Sequence, residues 1–133
     1  MANEAKHIQR LQDRLLEVTV ADDAGIAKGC ILQLTDAQTG SASSADGEFF
    51  AGIASTEKVA NDGMVKMGVW TKGVWDLKLT NATVAAGEPV KIAGANLVAI
   101  ADDSTIPNSR EVVGVALQDG AENEVIQVLV GER

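Results

Sequence analysis

The stretch Met64–Thr80, MVKMGVWTKGVWDLKLT, decides how the chain is read. Its odd positions are Val65, Met67, Val69, Thr71, Gly73, Trp75, Leu77 and Leu79. Its even positions include Lys66, Gly68, Lys72, Asp76, Lys78 and Thr80. Successive side chains of a strand point to opposite faces, so this alternation predicts one long strand over Met64–Leu79 with a mainly apolar face. A two-residue hairpin at Lys72-Gly73, pairing Trp70 with Trp75, is the competing reading. It would move Trp75, Leu77 and Leu79 to the face opposite Val65, Met67 and Val69. The unbroken parity favours the single strand. Fully extended it reaches about 50 Å at ~3.3 Å per residue, so a bend or bulge is expected at Gly68 and Gly73.

The rest of the chain has the same character. With 133 residues it is long enough for one domain with its own core. Apolar residues make up 46%, which argues against wholesale disorder. Tyrosine is absent and the large aromatics are few, so the core must be built from Val, Ile, Leu and Ala, the β-branched pair favouring strands. Leu16–Val20, Cys30–Leu34 and Phe49–Ser55 read as strands. So do Val90–Ala93 and Leu97–Ala101, joined by a hairpin at Gly94-Ala95-Asn96, and then Val112–Leu117 and Val125–Val130. Asp22-Asp23-Ala24-Gly25 and Asn61-Asp62-Gly63 are turns, while Thr35–Glu48 and Asp102–Arg110 are polar loops. About nine strands joined by short turns predict a mainly β fold, a single compact β-barrel or β-sandwich-like domain over residues 16–133.

Residues 1–15 stand apart as an N-terminal arm. Ile8, Leu11 and Leu15 have helical spacing with Lys6, Arg10 and Arg14 between them, so the arm is basic beside an acidic body. A short amphipathic helix and an extended arm that orders on a partner both fit. The arm residues Lys6, Ile8, Arg10, Leu11, Arg14 and Leu15 are candidates for contact with a partner or a neighbouring subunit. So is Trp70, a large aromatic on the otherwise polar face of the central stretch; a second core layer is the other reading, and burial within the subunit is the default one.

An internal echo also appears. Ile26-Ala27-Lys28-Gly29 leads into Ile31 and Leu34 as Val84-Ala85-Ala86-Gly87 leads into Val90 and Ile92. Ala51-Gly52-Ile53-Ala54 is matched by Val113-Gly114-Val115-Ala116. Recurrent apolar-glycine turns explain it, and so does an old duplication forming two halves of one barrel.

No catalytic set emerges. His7 is the only histidine and sits in the arm, whereas a nucleophilic site needs a rigid histidine beside its nucleophile. No P-loop is present. Cys30 is the only cysteine, so neither an intrachain disulfide nor a cysteine-built zinc site can form, and it reads as a small core residue. Asp22-Asp23 and Asp102-Asp103 lack the spacing of a calcium loop and read as solvated turn residues. Lys66, Lys72 and Lys78 on one face of the central stretch read as guards of a sheet edge, with contact to an acidic partner as the alternative. Catalytic residues, cofactors and metals are therefore expected to be absent. A net charge of −8 disfavours nucleic acid as a partner. No stretch has the length and apolarity of a membrane span or signal peptide, so synthesis in a cytoplasm and no membrane partner are expected.

The order of features carries a resemblance: Ile26–Leu34, Gly52-Ile53-Ala54 after a polar loop, Asn61-Asp62-Gly63, Lys72-Gly73-Val74-Trp75-Asp76-Leu77, Val84-Ala85-Ala86-Gly87-Glu88-Pro89-Val90, Val113-Gly114-Val115-Ala116 and the terminal strand Val125–Val130. Over roughly residues 16–131 the chain resembles the capsid decoration (cement) proteins of tailed bacteriophages, a family formerly catalogued as a domain of unknown function. The resemblance implies a compact β-barrel-like protein without a catalytic site. It implies a homotrimer on the exterior of the virion capsid that clamps the major capsid protein lattice. Two other classes stay open. A virion-displayed binding module for glycan or host surface would read through loops 36–48 and 102–110, but needs an aromatic platform. A small trimeric β enzyme would need converging acidic and polar residues.

Overall fold

The computed structural model describes residues 15–44, 48–80, 83–101 and 111–131. Ten strands run in chain order: β1 Leu16–Thr19, β2 Ile31–Asp36, β3 Thr39–Ala42, β4 Phe50–Ala54, β5 Lys66–Trp70, β6 Gly73–Leu79, β7 Pro89–Gly94, β8 Leu97–Ile100, β9 Val112–Ala116 and β10 Val125–Val130. They close into two barrels. The first has the neighbour order β1-β3-β2-β4-β5 and the second β10-β6-β8-β7-β9.

The alternation in Met64–Thr80 is read correctly in its parity and wrongly in its continuity. Met67, Val69, Leu77 and Leu79 are all buried. However, the stretch is two strands, and they belong to different barrels. β5 pairs with β1 and β4, whereas β6 pairs with β10 and β8. The break lies at Thr71-Lys72, and Gly73 leaves it at a φ of 123° that L side chains avoid. The Trp75 ring folds back over the break, and its indole Nε1–H donates to the Lys72 carbonyl at 3.3 Å. There is no hairpin here either, because β5 and β6 do not pair.

Two further expectations need correction. Part of the polar loop Thr35–Glu48 is β3, which pairs antiparallel with β2 and parallel with β1 and so helps close the first barrel. Small residues conceal it: Thr39-Gly40-Ser41-Ala42 lacks the β-branched alternation of its neighbours. The lysines at 66, 72 and 78 guard no edge, since closure pairs every strand on both sides.

The internal echo is structural, but it does not divide one barrel. Each half of the chain builds a whole one. Leu32 faces Ala42 and Gly52 as Val90 faces Ile100 and Gly114. The β2–β3 pairing shifts register between Leu34 and Asp36, and the β7–β8 pairing between Ile92 and Gly94. Ile26 bridges Lys58 outside the strands as Val84 bridges Gly120. The turns repeat as well: Gln38 and Asn96 have φ of 50° and 57°, and Asn61 and Asn123 have 62° and 71°.

The barrels are joined broadside to end. Val18, Val20, Leu32, Met67 and Val69 fill the first. Ile31, Phe50 and Ile53 point out of its wall and form one apolar cluster with the lining of the second barrel, including Leu77, Val90, Val98 and Val128. Trp70 and Trp75 pack against that cluster. The β7–β8 turn locks the joint. The Ile31 N–H donates to Asn96 Oδ1 at 2.9 Å, and the Asn96 N–H donates to Ser43 Oγ at 3.0 Å.

Candidate docking surface

At the far end of the first barrel from the joint, two turns come together around one lysine. Lys58 lies in the segment between β4 and β5, where its backbone exchanges hydrogen bonds with Ile26. That bridge directs its side chain inward, and Lys58 is among the most deeply buried residues of the protein. The ammonium donates to the Asp22 carbonyl at 2.8 Å, Asp22 Oδ1 at 3.2 Å, Asp62 Oδ1 at 3.0 Å and the Val59 carbonyl at 3.2 Å. A buried cation without such partners would be strongly unfavourable.

The two carboxylates do more than neutralise it. Asp22 Oδ1 also accepts the Gly63 N–H at 2.9 Å. Asp62 accepts the Met64 N–H at 2.9 Å through Oδ1 and the Val59 N–H at 3.1 Å through Oδ2. The Asn61 N–H donates to the Asp22 carbonyl at 2.7 Å. The N–H bonds to Asp62, led by that of Met64, together with Lys58, outweigh desolvation and hold the carboxyl below the usual aspartate range. Burial pulls the Lys58 ammonium the other way, but Asp62 and Asp22 overcome it and raise its pKa.

This network fixes a tip whose outer surface is apolar. Val59 is 59% exposed, Met64 47% and Val65 50%. Three large apolar side chains on one turn region, held by a rigid scaffold, are suited to docking against a partner. They have nothing to offer as chemistry.

The corresponding end of the second barrel is built differently. Gly120 stands where Lys58 does, and a Cβ there would press on Ile126 Cγ2 at 2.5 Å and Leu79 Cδ1 at 2.7 Å. The end holds an open hollow of about 380 Å³ lined in part by Glu88, Asp119 and Glu124. Those carboxylates cap backbone: Glu88 Oε1 accepts from Ala85 N–H, Asp119 Oδ1 from Ala86 N–H and Glu124 Oε1 from Ala121 N–H. No group of three or more His, Cys, Asp or Glu side chains among the described residues is arranged to hold a metal ion. The Cys30 thiol is buried, and burial raises its pKa against the lowering effect of Asn96.

Of the residues singled out from the sequence, Lys6, Ile8, Arg10, Leu11 and Arg14 lie outside the described residues, as do His7 and loop 102–110. Leu15 is half-buried and sits against Gly68. Trp70 is half-buried at the joint between the barrels, as a second core layer within the chain. The structure does not bring Trp70 to the tip. Asp22, expected as a solvated turn residue, is a ligand of the buried ammonium. Lys58 is hidden in the sequence because Glu57-Lys58 looks like ordinary surface. The one signal was its i,i+4 spacing to Asp62 in a turn-rich segment.

The model of the phage cement protein family matches residues 10–131. The chain belongs to that family. Comparison with curated proteins gives no match. Among solved structures, the cement protein is similar to the N base of the head fibre gp8.5 of bacteriophage phi29. That similarity has a TM-score of 0.53 at 11% identity and covers 86% of this chain and 91% of the other. At that identity the likeness speaks for the fold. Membership places this cement protein among phage structural proteins, with the nearly all-β architecture described above.

Proposed function

We propose that this cement protein decorates the outside of a phage head, binds the major capsid protein lattice as a homotrimer and stabilises the shell. Family membership supports decoration as the role, and the locked apolar tip is the observation that carries the contact. Val59, Met64 and Val65 are exposed on a turn whose backbone N–H groups and buried lysine are tied down by two carboxylates. A rigid apolar tip loses little conformational freedom when it docks, so more of the burial shows as affinity. Each contact need supply only a few kcal/mol, because binding to the assembled shell shifts its stability by mass action and the contacts sum over the lattice.

The arm is the second anchor in this reading. Lys6, Arg10 and Arg14 would meet an acidic shell surface, with Ile8, Leu11 and Leu15 as the apolar stripe. Ordering the arm costs about 1–2 kcal/mol per residue, which the buried apolar side chains at roughly 1.5–3 kcal/mol each offset only in part, the basic side chains adding to them.

Co-sedimentation with undecorated capsids is the test. The double variant Val59→Asp/Met64→Asp is expected to keep its β-sheet circular dichroism and to lose capsid binding at least tenfold. Removing residues 2–14 is expected to leave the barrels folded and to weaken binding more at low than at high salt, because the basic side chains are screened. Wild-type protein that does not sediment with capsids sinks the decoration reading. Unchanged affinity in the tip variant sinks the tip as its contact.

A further inference from the structure

The duplication leaves one contact made once. In the first barrel, the outward row Ile31–Ile53–Trp70 runs across β2, β4 and β5 and is covered by the end of the second barrel. Its counterpart in the second barrel is the row Pro89–Val115–Leu129 across β7, β9 and β10, extended by Val74 on β6. Nothing in the described chain seals this row. Pro89, Val115 and Leu129 are only half-buried and Val74 is 56% exposed, whereas Ile31 and Ile53 are almost inaccessible.

The complementary half of the contact is open too. The end of the second barrel that sits on the joint holds Trp75 and Ile92, at the β6 start and beside the β7–β8 turn. The same positions in the first barrel are Leu16 and Leu34. Leu34 is 37% exposed where Ile92 is fully buried, and Leu16 is half-buried at the rim of its core. Among the described residues, one molecule therefore carries an uncovered wall and an uncovered end, and the sequence has already solved how such an end seats on such a wall.

We propose that the end of the first barrel, at Leu16 and Leu34, docks on the wall Pro89–Val115–Leu129–Val74 of a second copy of this chain. The contact is head-to-tail: the surface a molecule offers differs from the one it receives, so copies close into a ring when the rotation allows. It differs from the internal joint in one respect. The internal joint has the Ile31 N–H bonded to Asn96, whereas Pro89 has no N–H to give. The contact between copies is thus more purely apolar, and added salt should favour it by screening repulsion between chains of net charge −8.

This inference rests on the self-assembly part of the reading above and is independent of the capsid. Sedimentation velocity and circular dichroism on the full chain test it, with wild type, Leu34→Glu and Leu129→Glu. Wild type is expected to form assemblies that either variant converts to single chains with unchanged circular dichroism. If Leu129→Glu loses the fold, Val74→Asp at an exposed position takes its place. Mixed Leu34→Cys and Val74→Cys chains are expected to give an oxidised heterodimer that neither gives alone. Assemblies that persist in the folded variants keep self-assembly and overturn this surface. So does a Val74→Cys homodimer formed alone. Loss of assembly on removing residues 1–14, with the point variants unaffected, gives the first barrel's end to the arm and also overturns it. Single wild-type chains both free and on capsids sink this contact and the homotrimer together.

Discussion

Lys58 shows how one residue can set the behaviour of a whole turn. Its ammonium and the Asp62 carboxylate are stabilised in opposite directions on the pH scale. The Asp62 pKa is depressed in the folded protein, so its contribution is complete above the unfolded aspartate pKa of about 4 and is lost as pH falls through the folded value. The Lys58 pKa is raised, so its contribution is complete below the unfolded lysine pKa of about 10.4 and is lost as pH rises through the folded value. Thermal melts across pH should therefore show a loss of stability below about pH 4 that is shallower in Asp62→Asn. Lys58→Ala should lower Tm by several degrees at neutral pH, because it leaves Asp22 and Asp62 facing each other without a cation. Lys58→Met, which fills the space without restoring the charge, should fall less if packing matters and equally if only the charge does. Only the i,i+4 spacing of Lys58 to Asp62 is legible in the sequence, where Lys58 sits in a polar run and its partner Asp22 is far away along the chain.

At the level of strands, glycines decide where backbones approach each other. Gly52 on β4 and Gly114 on β9 occupy the same place in the two barrels. A Cβ on Gly114 would run into the Leu129 carbonyl oxygen, and backbone cannot step aside as a side chain can. Gly87 sits in a turn at φ 93° with open space around it, so Ala there meets only the backbone penalty of roughly 1–2 kcal/mol. Gly114→Ala is expected to cost more than Gly87→Ala, about 2–3 kcal/mol with its packing strain, as read from urea midpoints. Equal costs would mean that β9 and β10 can separate freely. The sequence already marked Gly52 and Gly114 as an echo, and the apolar parity of Met64–Thr80 picked out the buried residues of β5 and β6. It did not reveal the change of barrel at Thr71-Lys72. A period of two reports which face a side chain is on, and two strands that stay in phase across a short break look the same as one. β3 escaped for a related reason, since Gly, Ser and Ala close a barrel by backbone pairing and leave little hydrophobic pattern.

For the molecule as a whole, the joint determines whether two barrels behave as one body. Ile31, Phe50 and Ile53 are core residues of the second barrel's cluster although they belong to the first. Calorimetry should therefore show one transition for both barrels, with the calorimetric and van't Hoff enthalpies equal. Ile53→Asp buries an unpaired carboxylate at the joint and should split that transition in two or abolish folding. A wild-type chain with two separate transitions would mean the barrels fold independently and the shared cluster adds little. The fold class and most strands could be read from alternation and turns, because those are local properties. The joint and the tip could not, because each depends on residues brought together across the chain: Ile31 with Asn96, and Asp22 with Lys58.

The chain's path through the joint has a practical consequence. Leu15 lies against Gly68, and Gly131 lies against Thr71 and Lys72, so the start and finish of the described chain both reach the short link between the barrels. Each barrel is entered and left at the same end, because β1 pairs antiparallel with β5 and β6 with β10. A polypeptide fused beyond residue 131 would thus begin at the waist of the molecule, while Val59 and Met64 stand at the opposite end of β5, five residues and about 17 Å away at ~3.3 Å each. Cargo attached just beyond residue 131 would leave the tip unobstructed, which makes this the place to graft a fluorophore.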